Sequence, residues 1–72
     1  MAHKALKKVL GEQVRAIRLA RGLTQERIAE QLGVTVRYYA GLERGERNLS
    51  LSSVDALAEQ LGATVTLAFD DV

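Results

Sequence analysis

The 72 residues contain no cysteine, proline or tryptophan, and the aromatic residues are two tyrosines and one phenylalanine. Without cysteine, neither a disulfide nor a thiolate metal site can reinforce the fold. A chain this short buries little surface per residue, so its core is marginal, and self-association is the remaining common support. The lack of proline suits a compact helical domain, because nothing interrupts a helix interior. No apolar run approaches the ~20 residues needed to cross a bilayer, so no membrane partner is expected. No signal-peptide pattern precedes the first periodic segment, which makes the cytoplasm, or wherever a partner lies, the expected location. The single histidine, His3, stands near a chain end, and a metal site needs further clustered ligands. The carboxylates are not arranged with a cleft and a nucleophile. No metal, no cofactor and no enzymatic activity are expected.

What is present is unevenly distributed. Residues 1–47 hold all ten Lys and Arg and five acids, a balance of +5, whereas residues 48–72 hold four acids and no Lys or Arg, a balance of −4. The overall charge of +1 hides this asymmetry. A basic first part points to an anionic partner, and an ordinary solvated surface is the competing explanation.

Apolar spacing divides the chain into four helical segments and a tail. Over residues 4–21, Leu6, Val9, Leu10, Val14, Ile17 and Ala20 recur at steps of three and four, which marks one helix face. Gly11 weakens the middle of this segment, so the helix is open to starting only there. Gly22 ends it as a C-terminal cap. Thr24 offers an N-cap hydroxyl for a helix over 25–32, with Ile28, Ala29 and Leu32 facing inward, and Gly33 stops it. Thr35 caps a third helix over 36–44, which Gly45 ends. Residues 46–50 form a loop. Ser50 caps a fourth helix over 51–61, with the stripe Leu51, Val54, Leu57, Ala58 and Leu61, and Gly62 closes it. In residues 64–69 the period changes: Val65, Leu67 and Phe69 alternate with smaller or polar residues, which is a strand pattern. One strand has no ladder partner within this chain. No linker, repeat or low-complexity segment divides residues 1–72, so they form a single domain.

The second and third helices, joined by Gly33-Val34-Thr35, suggest a helix-turn-helix. Their close crossing needs a small residue, supplied by Ala29. The turn needs a residue tolerant of positive φ, supplied by Gly33. Val34 plugs the space beneath the turn, and Tyr39 and Leu42 bury one residue per turn of the second helix. Adjacent residues on a helix point about 100° apart, since a turn takes about 3.6 residues. Tyr38 and Tyr39 therefore cannot enter one core together. With Tyr39 inward, Tyr38 and Arg37 face out.

The stretches IRLARGLTQERIAEQLGV and GLERGERNLSLSSVDALAEQLG resemble the lambda-repressor-like, Cro/Xre-type helix-turn-helix family over roughly Leu10 to Gly62. YYAGLERGERNLSL is especially similar to the controller proteins of restriction–modification systems. The tail LGATVTLAFDD resembles the C-terminal strand of Hip-type antitoxins, which pairs between subunits. The resemblance implies an all-α fold: a compact four-to-five-helix domain with a short C-terminal β-strand pairing across a dimer. It implies a phosphate contact for Gln25, and outward positions on the recognition helix for Thr35, Val36, Arg37, Tyr38 and Gly41. Arg18 and Glu43 match a structural ion pair between the first and third helices, and Arg44 and Asn48 lie where DNA-backbone contacts occur. The chain departs from the family pattern at Leu49, where proline is common, at Tyr39, where an aliphatic is usual, and at Gly41, where many relatives carry a larger polar residue.

The chemistry of each residue sharpens these roles. Side chains in the first turn of a recognition helix reach base edges. Arg37 stands there, and its two parallel donors suit guanine O6 and N7, with a phosphate contact or plain solvation as the alternative. Val36 suits a thymine methyl, or packs on its own domain. Tyr38 donates to phosphate or packs on sugar, or is simply exposed. Gly41 removes bulk and lets the helix sit deep, or is merely tolerated. Thr24, Gln25 and the helix N-terminus behind them form a natural phosphate site. Arg44 and Arg47 add salt-dependent affinity without reading sequence. Arg15, Arg21 and Arg27 are solvated charges.

Three readings follow. The first is a homodimeric, sequence-specific regulator of transcription on double-stranded DNA, a repressor or autoregulator. In it Val65, Leu67 and Phe69 are buried between subunits and the recognition helices enter successive major grooves of a palindromic operator. The second is an antitoxin that neutralises a co-encoded toxin protein and binds DNA secondarily, favoured by the acidic C-terminal part and the strand. The third is a DNA-binding module cut from a longer protein.

Overall fold

Residues 5–71 are described by a computed structural model, in which four helices account for the regular structure: α1 Leu6–Ala20, α2 Gln25–Leu32, α3 Val36–Glu43 and α4 Leu51–Leu61. Three of them begin on a hydroxyl N-cap. The Thr24 Oγ1 accepts from the Arg27 N–H at 3.1 Å, Thr35 Oγ1 from Tyr38 N–H at 3.0 Å, and Ser50 Oγ from Ser53 N–H at 3.0 Å. Each satisfies a backbone donor that the first helical turn leaves open. Helix α1 starts without a side-chain cap, at Ala5.

The turn between α2 and α3 depends on Gly33, whose φ of 71° lies in the left-handed region. That conformation lets Gly33 N–H reach the Glu30 carbonyl at 3.2 Å and Val34 N–H reach the Ala29 carbonyl at 3.0 Å, closing the end of α2. A β-carbon would be strained there. The result is a chain reversal in two residues, from Leu32 to the α3 cap.

Val14, Ile28, Ala29, Leu32, Tyr39, Leu42, Leu57 and Leu61 form the core, with Leu10, Ile17, Leu23, Leu49 and Ala63 packed around it. Tyr39 and Ile28 are the largest side chains wholly enclosed, both at 0% exposure. Helix α3 packs on both α1 and α2, and α4 packs on α2. Helix α3 is thus wedged between two others.

Several expectations need correction. Leu6 and Leu51, placed by periodicity on the inner stripes of α1 and α4, are exposed, as is Ala20. They stand at or near helix ends, beyond the reach of a core only a few helical turns deep. Val34 plugs the turn only partly and remains about one-third open. Gly11 does not start α1 but lies buried in its middle. The C-terminal strand is absent among the described residues: residues 63–71 have no regular structure. Thr64, Val65 and Thr66 run along the groove between α1 and α4. Val65, Leu67 and Phe69 are exposed, Phe69 at 93%. The physical reason is that a strand exists only as part of a ladder, and one chain offers no partner for it.

Candidate nucleic-acid interface

Helix α3 resolves the two adjacent tyrosines. Tyr39 is enclosed and Leu42 lies three residues on, also buried. The opposite face carries Thr35, Val36 and Arg37, all exposed, and the half-buried Tyr38. Val36 is 41% exposed, which leaves part of its side chain open on this face. The Arg37 guanidinium makes no hydrogen bond or ion pair among the described residues, whereas its carbonyl accepts from Arg47.

A buried polar cluster fixes the angle of α3. Arg18 Nε donates to Glu43 Oε2 at 2.7 Å and Arg18 Nη2 donates to Oε1 at 3.2 Å, a two-pronged pair with side chains only 11% and 5% exposed. A third Arg18 donor, Nη1, reaches the Leu23 carbonyl at 3.0 Å. Gln25 Nε2 donates to Glu43 Oε1 at 3.0 Å. One carboxylate therefore joins the last turn of α1, the start of α2 and the end of α3. Burial pushes the Glu43 carboxyl up, but the hydrogen bonds from Arg18 and Gln25 outweigh it and hold the group below its ordinary range. The Tyr39 hydroxyl lies beside this pair, and burial raises it well above the usual phenol range. It forms no hydrogen bond of good geometry, although it approaches the Glu43 carboxylate.

Gln25 consequently has one amide N–H committed to Glu43. An amide nitrogen carries two donors, so one remains for another acceptor. Thr24 is engaged as the α2 cap and stays exposed. The first N–H groups of α2 face the same edge as Gln25, where the helix dipole favours an anion.

Gly41 is placed differently from the open position that sequence suggests. It is buried, because the Arg47 side chain lies over it. A β-carbon at Gly41 would stand 2.6 Å from Arg47 Nε. Arg47 uses that notch to donate to the carbonyls of Tyr38 at 3.4 Å and Arg37 at 3.3 Å. Its guanidinium stacks over the Tyr38 ring, 4.9 Å from the centroid. Gly41 thus removes bulk for an internal arginine, and Tyr38 and Arg47 form one surface unit. Nothing in the local sequence joins these three residues. The signal that could have found them is the pairing of a helical glycine with an arginine just beyond the helix end.

Arg44 and Asn48 flank that unit. Arg44 is held by Glu46 through two hydrogen bonds of 3.0 Å. Asn48 Oδ1 accepts from Lys7 at 3.4 Å, and the Arg44 carbonyl accepts from Lys8 at 3.1 Å. The two lysines belong to α1, and neither stands out in sequence. Arg15, Arg21 and Arg27 are exposed. Arg21 is more than a solvated charge: its Nη2 donates to the Leu61 carbonyl at 2.8 Å, at the C-terminal end of α4. Among the described residues, no group of three His, Cys, Asp or Glu is placed to hold a metal, and no helix is long and apolar enough to cross a membrane. His3 lies outside the described residues.

The chain is similar to known proteins in sequence and in fold. A helix-turn-helix family model matches residues 14–67. The chain belongs to this family. Its closeness to restriction–modification controllers, read from YYAGLERGERNLSL, agrees with the relatives found. The chain is 40% identical over 60 residues to the control protein C.SmaI of Serratia marcescens, an alignment spanning 83% of this chain and 71% of that one. The clp gene regulator ClgR from C. glutamicum superimposes with a TM-score of 0.77 at 31% identity, over 89% of this chain and 82% of the other. The restriction–modification controller C.Esp1396I, solved as a tetramer with its natural 35 base-pair operator, superimposes with a TM-score of 0.72 at 29% identity, over 86% of this chain and 82% of the other. The likeness to Hip-type antitoxins rests on the tail strand, and the described tail forms none. The antitoxin reading and its toxin partner lose one of the two features that favoured them, and the relatives found do not support them.

Proposed function

We infer that this chain is a DNA-binding regulator of transcription, a repressor or autoregulator that reads double-stranded DNA with α3 in the major groove. The observation that carries the reading is the division of α3 into two faces. Tyr39 and Leu42 anchor it, the Arg18–Glu43 pair locks its end, and Val36, Arg37 and Tyr38 stand outward, the Arg37 guanidinium uncommitted among the described residues. Arg37 contacts a guanine edge and Val36 a thymine methyl. Tyr38 meets the groove wall beside them, with Gly41 beneath the Arg47 cover. Thr24, Gln25, Thr35, Arg44, Arg47 and Asn48 serve the phosphates and set the register.

Two copies act together. The open apolar residues Leu51, Val65, Leu67 and Phe69 lie on α4 and the tail that follows it, where a second chain would cover them. Such a dimer sets two α3 helices about 34 Å apart, on successive major grooves of a palindromic site.

Binding-site selection from random duplexes at near-physiological salt tests this. The expected product is a two-fold symmetric sequence, bound more tightly than its scrambled counterpart. In the Arg37→Ala variant the preference should flatten at one base pair per half-site, whereas Arg44→Ala should weaken all duplexes alike. Equal affinity of the unaltered chain for selected and scrambled duplexes would reject sequence-specific regulation.

A further inference from the structure

We propose that the first turn of α1 is a second phosphate-binding edge, in which Lys7 and Lys8 extend the DNA footprint beyond the helix-turn-helix. The inference rests on the DNA-binding reading above and adds residues outside the two helices of that motif. Helix α1 comes unusually near the segment that follows α3. A β-carbon on Gly11 would stand 2.5 Å from the Glu43 and Leu42 carbonyl oxygens. A β-carbon on Gly45 would stand 2.8 Å from Lys8 Cα, and Gly45 also has a φ of 74°. Both glycines are needed for the N-terminal half of α1 to press against the end of α3. A larger residue at either place would push the lysines away.

That approach places the two ammonium groups among the loop's own polar groups. Lys7 Nζ lies 3.4 Å from Asn48 Oδ1, and Lys8 Nζ lies 3.1 Å from the Arg44 carbonyl. Lys7, Lys8, Arg44 and Asn48 are exposed, with Arg47 partly so. Glu46 sits among these cations. Hydrogen bonds from Arg44 hold its carboxyl below the ordinary range, and the fields of Arg44, Lys8 and Arg47 add to the effect. The arrangement suits a run of phosphates, which present repeated negative charge along a line. A single small anion would not need cations spread over a helix turn and a loop. Structural capping accounts for the Lys8 hydrogen bond, since a cation near the end of α3 complements its dipole. It does not account for Lys7, whose partner is a side chain already placed at the phosphate edge.

The test is the salt dependence of binding to the selected duplex. Removing one cation from a phosphate should make the slope of log K against log salt shallower by about 0.9. Lys7→Gln is expected to reduce the slope by about 0.9, and Lys7→Gln with Lys8→Gln by about 1.8. The double variant with both lysines changed to Arg keeps the charges and should keep the slope. Arg21→Gln removes one charge at the far end of α1 and should leave the slope unchanged. A purely structural role for the lysines would lower the thermal midpoint without altering the slope. A full slope in Lys7→Gln, or an equal reduction in Arg21→Gln, overturns the proposal while leaving the regulatory reading intact. No salt-dependent duplex binding by the unaltered chain would overturn both.

Discussion

Replacing Gly11 with alanine sets helix propensity against packing, and the two give opposite signs. Gly11 lies in the interior of α1. Propensity alone favours alanine there by about 1 kcal/mol. The new methyl, however, would stand 2.5 Å from two main-chain oxygens, Leu42 O and Glu43 O, and 2.9 Å from the Glu43 carbonyl carbon. Overpacking costs about 1–3 kcal/mol in general. The upper end applies here because main-chain atoms at the end of a hydrogen-bonded helix cannot rotate aside as a side chain does. The expected balance is a net loss of about 2 kcal/mol, a fall in thermal midpoint of roughly 8–16 °C for a domain of this size. Relief of the clash moves α3 away from α1, so the Arg18–Glu43 pair lengthens and duplex affinity falls as well. Calorimetric or circular-dichroism melts measure the first effect, and titration of the selected duplex measures the second. Ala16→Gly, at an exposed position of the same helix, provides the propensity reference, with an expected loss of about 1 kcal/mol. A Gly11→Ala variant more stable than the parent would refute the close approach of α1 to α3 on which this estimate rests.

The Arg18–Glu43 pair should behave as a coupled unit. Arg18→Met alone is expected to cost about 3 kcal/mol by leaving a buried carboxylate, and Arg18→Met with Glu43→Gln to cost less, in a double-mutant cycle of urea melts. Because the folded Glu43 carboxyl is held below its ordinary range, its contribution is fully present above the unfolded value, ~4.3, and is lost as pH falls through the folded one. Glu43→Gln should therefore flatten the loss of stability below about pH 4, and an unchanged acid limb would show that the pair is not formed. For the tail, Leu67→Ser with Phe69→Ser removes two exposed apolar groups outside the core. It should shift sedimentation toward monomer at micromolar concentration with little change in the far-ultraviolet spectrum. Unchanged association would place the dimer interface elsewhere.

Thr24, Thr35 and Ser50 are legible in the sequence as helix starts because capping is local: the hydroxyl and the N–H it serves are three residues apart. The inward and outward tyrosines are legible because the helical period forbids both from sharing a core. The Arg18–Glu43 pair is legible only through resemblance, since the partners are 25 residues apart and no local pattern joins them. Gly41 reads wrongly from sequence because its neighbour in space, Arg47, lies beyond the helix end and folds back over it. The tail reads wrongly because alternation predicts a strand only where a second strand exists to pair with it.

Sequence by itself thus determined the capped starts of α2, α3 and α4, the reversal at Gly33 and the choice of Tyr39 over Tyr38 for the interior. All three follow from interactions within one or two helical turns. The tertiary structure alone decided how near α1 comes to α3, which charges gather at Arg44 and Asn48, and that Gln25 and Arg18 meet on one carboxylate. Those outcomes depend on distances between segments far apart in the chain, and a small core fixes them only when all four helices are in place.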